Sequence, residues 1–352
     1  MTVQVWLKRH IAYLNEHEVP TAQLDAELLV ADAIGQDRAF VHTHPEYKLD
    51  KKTLGLLNKQ ISRRAQHEPL AYIRGHSEFY GRDFLVNAHT LQPRPETETM
   101  IDLLRQVVIS RQSSVVSQKK KNQKSLTSDN ELPGELVDSK QLTVDSNKKK
   151  EAATADQRPE TSDERREDTS DWRLVTDDND LTIIDVGTGS GCIAITAKLL
   201  YPKARVIAID IDQKCLTTAQ QNAKQHKTSV NFLNGNLLEP LSDIRYQISD
   251  IIMANLPYVP DNHTINQAAM HEPHHAIFGG SDGLDYYRQL FDQTKQLPYP
   301  PQYIFTESLP PQHQLLAEVA RDHGYQLQKT IDFIQLFTTE ETHPHGQRLK
   351  NT

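Results

Sequence analysis

The chain has 352 residues, of which 37% are hydrophobic, and its formal net charge is -8 at pH 7. This length allows two modest domains with a sizeable core, while the mean hydropathy of -0.62 indicates that part of the chain does not pack. No apolar run reaches the ~18 residues that a membrane span needs. The negative charge disfavours a broad, sequence-independent nucleic-acid surface, which requires basic residues.

The two cysteines, Cys192 and Cys215, lie in segments that the apolar spacing predicts to be helices. Their spacing matches neither a metal site nor a disulfide framework, so we expect no metal and a reducing, cytoplasmic environment. The region after Met1 lacks the uninterrupted apolar stretch of a signal peptide, which agrees with that expectation.

Residues 1–67 have the periodicity of helices. Apolar side chains recur at intervals of three and four residues within 3–14, 24–33 and 54–65. The sequence therefore predicts a small helical bundle over 1–67, and we expect this bundle to dock the substrate.

The segment 68–109 changes character twice. Aromatic and β-branched side chains are concentrated from Tyr72 to Val86, and Gly81 can supply a turn, which predicts a hairpin. Helical spacing resumes at residues 96–109 after two prolines. We therefore predict a hairpin followed by a connecting helix.

A polar stretch of mixed charge follows. Residues 111–171 contain no aromatic side chain and carry lysine runs at 119–121 and 148–150. Such a composition buries too little apolar surface to offset the entropy of ordering, so we predict a disordered insertion over 110–179. A nucleic-acid tether formed by the lysine runs is the alternative interpretation.

Strand and helix patterns alternate through residues 180–345. This alternation predicts an α/β fold with a doubly wound, mostly parallel sheet, in which ligands bind at the carboxyl ends of the strands. The predicted strands are 182–186, 205–210, 230–233, 250–254, 302–306, 326–331 and 333–338, and the predicted helices are 191–200, 213–226, 286–295 and 312–323.

Three strand ends in this region predict a cofactor site. The first strand leads into a G-x-G-x-G turn, whose glycines permit positive φ and a close ligand approach. Asp210 ends the second strand and suits two ribose hydroxyls, whereas Asp212, its rival, would more naturally cap the next helix. Asn236 and Leu237 follow the third strand and either frame an adenine or form an ordinary turn. The residues predicted to contact the cofactor are Asp185, Gly187, Thr188, Gly189, Ser190, Gly191, Asp210, Asn236, Leu237 and Asn255.

The fourth strand runs into Asn255-Leu256-Pro257-Tyr258, which we predict to be the catalytic loop. An amide nitrogen is a poor nucleophile because its lone pair is delocalised into the carbonyl, so an enzyme must mainly position it. The Asn255 side-chain oxygen and the Leu256 carbonyl can accept hydrogen bonds from the two N–H groups of such an amide. Pro257 would stiffen the loop, and Tyr258 would stack on the flat amide. Orientation of this kind supplies ~7–11 kcal/mol of a barrier, although a plain strand-end turn is the alternative.

The glycine-rich turn, the acid and the third-strand turn resemble those of class I S-adenosylmethionine-dependent methyltransferases. More narrowly, nearly everything except the insertion resembles the HemK/PrmC family of protein-(glutamine-N5) methyltransferases, whose Asn-Pro-Pro-Tyr loop falls on Asn255 to Tyr258. The other matching motifs are Pro69-Leu70-Ala71-Tyr72-Ile73-Arg74-Gly75, Glu78-Phe79-Tyr80-Gly81, Pro93-Arg94-Pro95-Glu96-Thr97-Glu98, Glu272-Pro273 and Asp282-Gly283-Leu284.

The sequence departs from the family pattern at four places. Leu256 replaces the first proline of the loop, and Asn236 replaces the usual aspartate. Thr306-Glu307-Ser308-Leu309 stands for the family's Leu-Glu-Ile-Gly, and the segment after Phe333 lacks its Gly-Arg-Asp-Arg pattern. None of these changes removes a group that the chemistry needs.

The resemblance implies a Rossmann-like class I domain with a small N-terminal helical domain and S-adenosylmethionine as the cofactor. It implies methylation of the glutamine in the Gly-Gly-Gln motif of class-1 peptide chain release factors, with no membrane and no direct nucleic-acid partner. Arg94, Glu96 and the catalytic loop would contact this substrate, although a salt bridge at a helix start is an equal interpretation of Arg94 and Glu96. The alternatives are an adenine-N6-type nucleic-acid methyltransferase and a cofactor-binding interaction protein without activity.

Overall fold

The computed structural model describes residues 1–128, 181–242 and 250–339. Of the described residues, 1–106, 181–242 and 250–339 belong to one compact unit, and residues 107–128 belong to a second unit. Among the described helices, none has the length and apolar character required to cross a membrane.

The N-terminal residues form helices around an apolar core of their own, which confirms the predicted bundle. Trp6, Leu14, Leu29 and Leu57 are fully buried in this core. The carboxylate of Asp25 is also buried and accepts a hydrogen bond from Arg64. The helices are α1 (Val3–Glu16), α2 (Ala22–Ile34), α3 (Arg38–Thr43), α4 (Lys51–Ala65) and α5 (Leu70–Arg74).

The predicted hairpin is present but shorter than expected. It consists of β1 (His76–Phe79) and β2 (Arg82–Leu85), joined by two residues with positive φ, as a tight hairpin turn requires. Tyr72 and Ile73, which we assigned to the hairpin region, lie in α5 instead. Both side chains are buried there, and tertiary packing outweighs their preference for strands.

The connecting helix α6 (Pro95–Ser128) continues past the end predicted at residue 109. The predicted start of the disordered insertion is therefore wrong as far as Ser128, because lysine, glutamine and serine residues permit a helix without an apolar core. Residues 129–179 of the predicted insertion lie outside the described residues, so disorder there stays a prediction.

The catalytic region forms a seven-stranded sheet in the order β5-β4-β3-β6-β7-β9-β8. The first five strands in this order are parallel, and β9 runs antiparallel to both β7 and β8. This confirms the predicted α/β class. The elements are β3 (Thr182–Val186), α7 (Cys192–Leu200), β4 (Arg205–Asp210), α8 (Gln213–Gln225), β5 (Asn231–Asn234), β6 (Ile251–Ala254), α9 (Asp285–Thr294), β7 (Tyr303–Glu307), α10 (His313–Asp322), β8 (Tyr325–Ile331) and β9 (Ile334–Thr339).

Candidate active site

The strand register brings three chain segments together at the carboxyl edge of the sheet. Val186 pairs with Ala254, and Ala254 pairs with Thr306. The next residues, Gly187 and Glu307 among them, therefore lie beside the start of the predicted catalytic loop. The strand order also reverses between β3 and β6, and this is where ligands bind in doubly wound sheets.

The glycine-rich turn is tied to β4 and open at its centre. Its three glycines all have positive φ, and the Gly187 N–H donates to the Ile209 carbonyl at 2.9 Å. A Cβ added at Gly189 would meet no atom within 4 Å, so the backbone there is accessible to a ligand. At Gly191 the same atom would lie 3.0 Å from the Ala219 side chain, which explains the last glycine by packing of α7 on α8.

Asp185 precedes this turn and is fully buried. Its Oδ2 accepts hydrogen bonds from the Thr188 hydroxyl at 2.5 Å and the Ala194 N–H at 3.1 Å. Its Oδ1 is buried without a hydrogen-bond partner among the described residues, and burial raises the pKa of this carboxyl to about 7. The free oxygen can accept a hydrogen bond from a ligand in the turn, whereas Thr188 and Ser190 are themselves buried.

The geometry separates the two rival acids. Asp212 accepts from the Lys214 N–H at 2.8 Å and caps α8. Asp210 is buried at the end of β4, with one oxygen accepting from the Gly189 N–H at 2.8 Å and the other from the Asp212 N–H at 2.9 Å. Burial raises its pKa. Each oxygen keeps a lone pair for a further donor, and the geometry leaves ribose binding by Asp210 a prediction.

The turn after β5 has a structural role of its own. Leu237 has positive φ and is buried in the main apolar core, while Asn236 is half-buried and its Nδ2 donates to Glu239 at 3.2 Å. An adenine contact by these two residues stays a prediction.

The predicted catalytic loop lies against two residues that the sequence did not single out. The Asn255 Nδ2 donates to the Thr97 hydroxyl at 3.0 Å, and the Thr97 hydroxyl donates to the Glu307 carboxylate at 2.6 Å. The Tyr258 hydroxyl donates to the other Glu307 oxygen at 3.1 Å. Both residues lie in motifs noted above, and the only further signal was that Glu307 ends a strand next to β6.

Leu256 is buried, and its backbone N–H, which a proline would lack, has a hydrogen-bond partner. Its N–H donates to the Tyr287 hydroxyl at 3.2 Å, and that hydroxyl donates to the Glu307 carbonyl. A Cβ on Gly187 would approach the Leu256 side chain to 3.0 Å, and this tight contact adds to the positive φ that favours glycine at that position. The loop thus keeps its backbone support despite the departure from the family pattern.

A cleft of about 290 Å³ opens beside the loop and is lined by Asn255, Leu256 and Tyr258 among others. Arg94 also lines it, and its guanidinium donates to both oxygens of the buried Glu272 carboxylate at 2.8 and 2.6 Å. Burial raises the pKa of Glu272, and Arg94 opposes that rise. Arg94 therefore forms a salt bridge and also faces the cleft, whereas Glu96 is exposed on the first turn of α6.

The turn, the acid after β4 and the loop after β6 define a class I methyltransferase domain, and the family described as "Methyltransferase domain" matches residues 177–279. The family "PrmC N-terminal domain" matches residues 5–75. The release factor glutamine methyltransferase of Koribacter versatilis is 30% identical over 83% of this chain and 81% of its own length. The chain belongs to the release factor glutamine methyltransferase family.

Two further relatives differ in how much of them this chain spans. The release factor glutamine methyltransferase of Geobacter sulfurreducens is 27% identical over 86% of this chain and 81% of its own length. The bifunctional methyltransferase of Rickettsia felis is 28% identical over 92% of this chain, which spans 54% of that longer protein. The resemblance to the HemK/PrmC family is thereby confirmed.

Proposed function

We propose that this protein transfers the methyl group of S-adenosylmethionine to the side-chain nitrogen of the glutamine in the Gly-Gly-Gln motif of class-1 peptide chain release factors. The observation that carries this proposal is the position of Asn255 and Leu256, which line a cleft directly beside the open glycine turn. The helical bundle would dock the release factor, and we expect the reaction to take place in the cytoplasm.

The residues at the turn fit the proposed cofactor. The unpaired oxygen of Asp185, the open backbone at Gly189 and the free lone pairs of Asp210 offer acceptors and space at one strand edge. Asp210 would bind the ribose hydroxyls, and Asn236 and Leu237 would hold the adenine. The cofactor supplies a methyl group that is already activated by its positively charged sulfur.

The residues of the loop would hold the glutamine amide. The Asn255 oxygen and the Leu256 carbonyl accept hydrogen bonds from the two N–H groups of this amide, and the Tyr258 ring packs on the flat face of the amide. This orients the nitrogen lone pair toward the methyl carbon, and orientation can supply ~7–11 kcal/mol of the barrier. Methylation releases one proton from the amide nitrogen, and we assign this proton to water because Glu307 already accepts hydrogen bonds from Thr97 and Tyr258.

A labelling experiment tests the proposal. The protein is incubated with methyl-labelled S-adenosylmethionine and the release factor of its host, either unchanged or with the motif glutamine replaced by alanine. We expect label only in the unchanged factor. Equal labelling of both factors, or transfer to DNA or RNA and not to protein, would overturn the proposal.

Two asparagine variants separate the predicted roles. Asn255→Ala should abolish transfer while leaving cofactor binding largely intact, because its oxygen contacts the substrate amide. Asn236→Ala should weaken cofactor binding and lower turnover much less. Unchanged turnover in Asn255→Ala would contradict the role given to that residue.

A further inference from the structure

Thr97 and Glu307 form hydrogen bonds with the catalytic loop but are not among the residues that line the cleft, and the proposed mechanism gives neither of them a contact with the substrate. Thr97 is buried in the first turn of α6, and Glu307 is buried as the last residue of β7. They are 210 positions apart in the sequence, yet their side chains are joined by a hydrogen bond of 2.6 Å.

The direction of each hydrogen bond follows from which groups carry protons. The Thr97 hydroxyl has one proton, which it donates to the Oε2 of Glu307. Toward Asn255 the Thr97 oxygen can then only accept, and the Asn255 amide nitrogen lies 3.0 Å away. Only the NH2 end of that amide can donate, and therefore the NH2 end points inward and the Asn255 oxygen points away from Thr97.

The same carboxylate also orients Tyr258. Its Oε1 accepts from the Tyr258 hydroxyl at 3.1 Å while its Oε2 accepts from Thr97. One buried group thus determines the orientation of two side chains that line the cleft. Burial raises the pKa of Glu307, and the hydrogen bonds from Thr97 and Tyr258 oppose that rise and favour the ionised form.

We propose that Glu307 and Thr97 are positioning residues that fix the amide of Asn255 with its oxygen toward the substrate. The inference rests on the proposed function, since it concerns how the substrate amide is held. With the Asn255 amide reversed, its NH2 group would face the N–H groups of the substrate, and two donors cannot form a hydrogen bond. The hydrogen bond that orients the reacting nitrogen would then be lost.

Two substitutions at Thr97 test this role. Thr97→Val keeps the shape of the side chain but removes the hydroxyl, and we expect kcat to fall roughly 10- to 100-fold, as for loss of one buried hydrogen bond. The KM for S-adenosylmethionine should stay close to the wild-type value. Thr97→Ser restores the hydroxyl and should recover most of the turnover. Wild-type kcat in Thr97→Val, or equal losses in the valine and serine variants, would overturn the proposal.

A control and a second variant exclude a merely structural effect. Thr294 is a buried threonine on α9 whose hydroxyl donates to the Phe291 carbonyl, and Thr294→Val should leave turnover unchanged at a similar melting temperature. Glu307→Gln keeps the volume but has one acceptor oxygen, so Thr97 and Tyr258 can no longer each donate to an oxygen of their own. We expect it to lower kcat as Thr97→Val does, and full activity in this variant would also refute the inference.

The outcome for the wild-type protein separates the two proposals. If the wild-type protein does not label the release factor, the proposed function fails, whatever the variants do. If the wild-type protein labels the factor and Thr97→Val labels it at the same rate, the proposed function stands and the positioning role fails.

Discussion

Replacing Tyr287 with phenylalanine removes a single hydroxyl from beneath the catalytic loop. That hydroxyl accepts from the Leu256 N–H at 3.2 Å and donates to the Glu307 carbonyl. Tyr287 is fully buried, so water has little access to replace the lost group. A buried N–H left unpaired costs ~1–3 kcal/mol, and we expect Tyr287→Phe to lower the free energy of unfolding by about 2 kcal/mol.

The partner substitution is Leu256→Pro, because proline has no N–H and therefore needs no acceptor. In that background, the loss of the Tyr287 hydroxyl should cost about 1 kcal/mol less than it does alone, which a double-mutant cycle measures. Urea unfolding of the four proteins at one pH gives the required free energies. Tyr286→Phe is the matched control on the same helix, since the Tyr286 hydroxyl makes no described hydrogen bond, and it should change stability by less than about 0.5 kcal/mol.

Two results would refute this reasoning. One is a Tyr287→Phe protein that unfolds at the same urea concentration as the wild type, which would mean that the Leu256 N–H finds another partner. The other is a cycle without coupling between the two positions. We also expect turnover to fall in Tyr287→Phe, because Leu256, whose carbonyl is proposed to accept from the substrate, loses the hydrogen bond of its N–H.

Three further perturbations have defined outcomes. Burial raises the pKa of Asp185 to about 7, so between about pH 4 and 7 the folded chain keeps a proton that the unfolded chain has lost. The free energy of unfolding should therefore fall as pH rises through this range. Asp185→Asn should flatten that fall, as measured by urea unfolding at pH 5 and 8. Arg94→Met leaves Glu272 buried without its cation and should lower the free energy of unfolding by about 1–2 kcal/mol. Adding Glu272→Gln should recover part of this loss, and no recovery would contradict a stabilising ion pair. At Gly283 an added Cβ would lie 2.1 Å from the Tyr258 carbonyl, so Gly283→Ala should lower both the melting temperature and turnover, and a wild-type melting temperature would contradict this steric account.

Much of the fold followed from local patterns. The residues of β6 are all buried, and a strand covered on both faces has a continuous apolar run that is visible in the sequence. The bundle was predictable because each helix buries one face. Tyr72 and Ile73 were placed wrongly because their burial in α5 depends on neighbours far away in the chain. The continuation of α6 was missed because a polar helix has no apolar periodicity.

The site was predictable only where chemistry follows directly after a strand. The glycine turn and the Asn255 loop met this condition. The end of the apolar run at Asp210 also distinguished that residue from Asp212, which caps the next helix. Thr97 and Glu307 could not be joined to the loop, because nothing in the sequence says that a helix start and a distant strand end meet at 2.6 Å.

The amino-acid sequence alone therefore determines the class of fold and the family, and it predicts the catalytic loop, since these depend on periodicity and on motifs that are continuous in the chain. Only the tertiary structure decides which way the Asn255 amide points and how the Leu256 N–H is satisfied. Both depend on single hydrogen bonds to Thr97 on α6 and Tyr287 on α9, and the packing of these helices beside the loop brings the groups together. Hydrogen bonds of this kind require geometry within a few tenths of an ångström, which no sequence pattern contains.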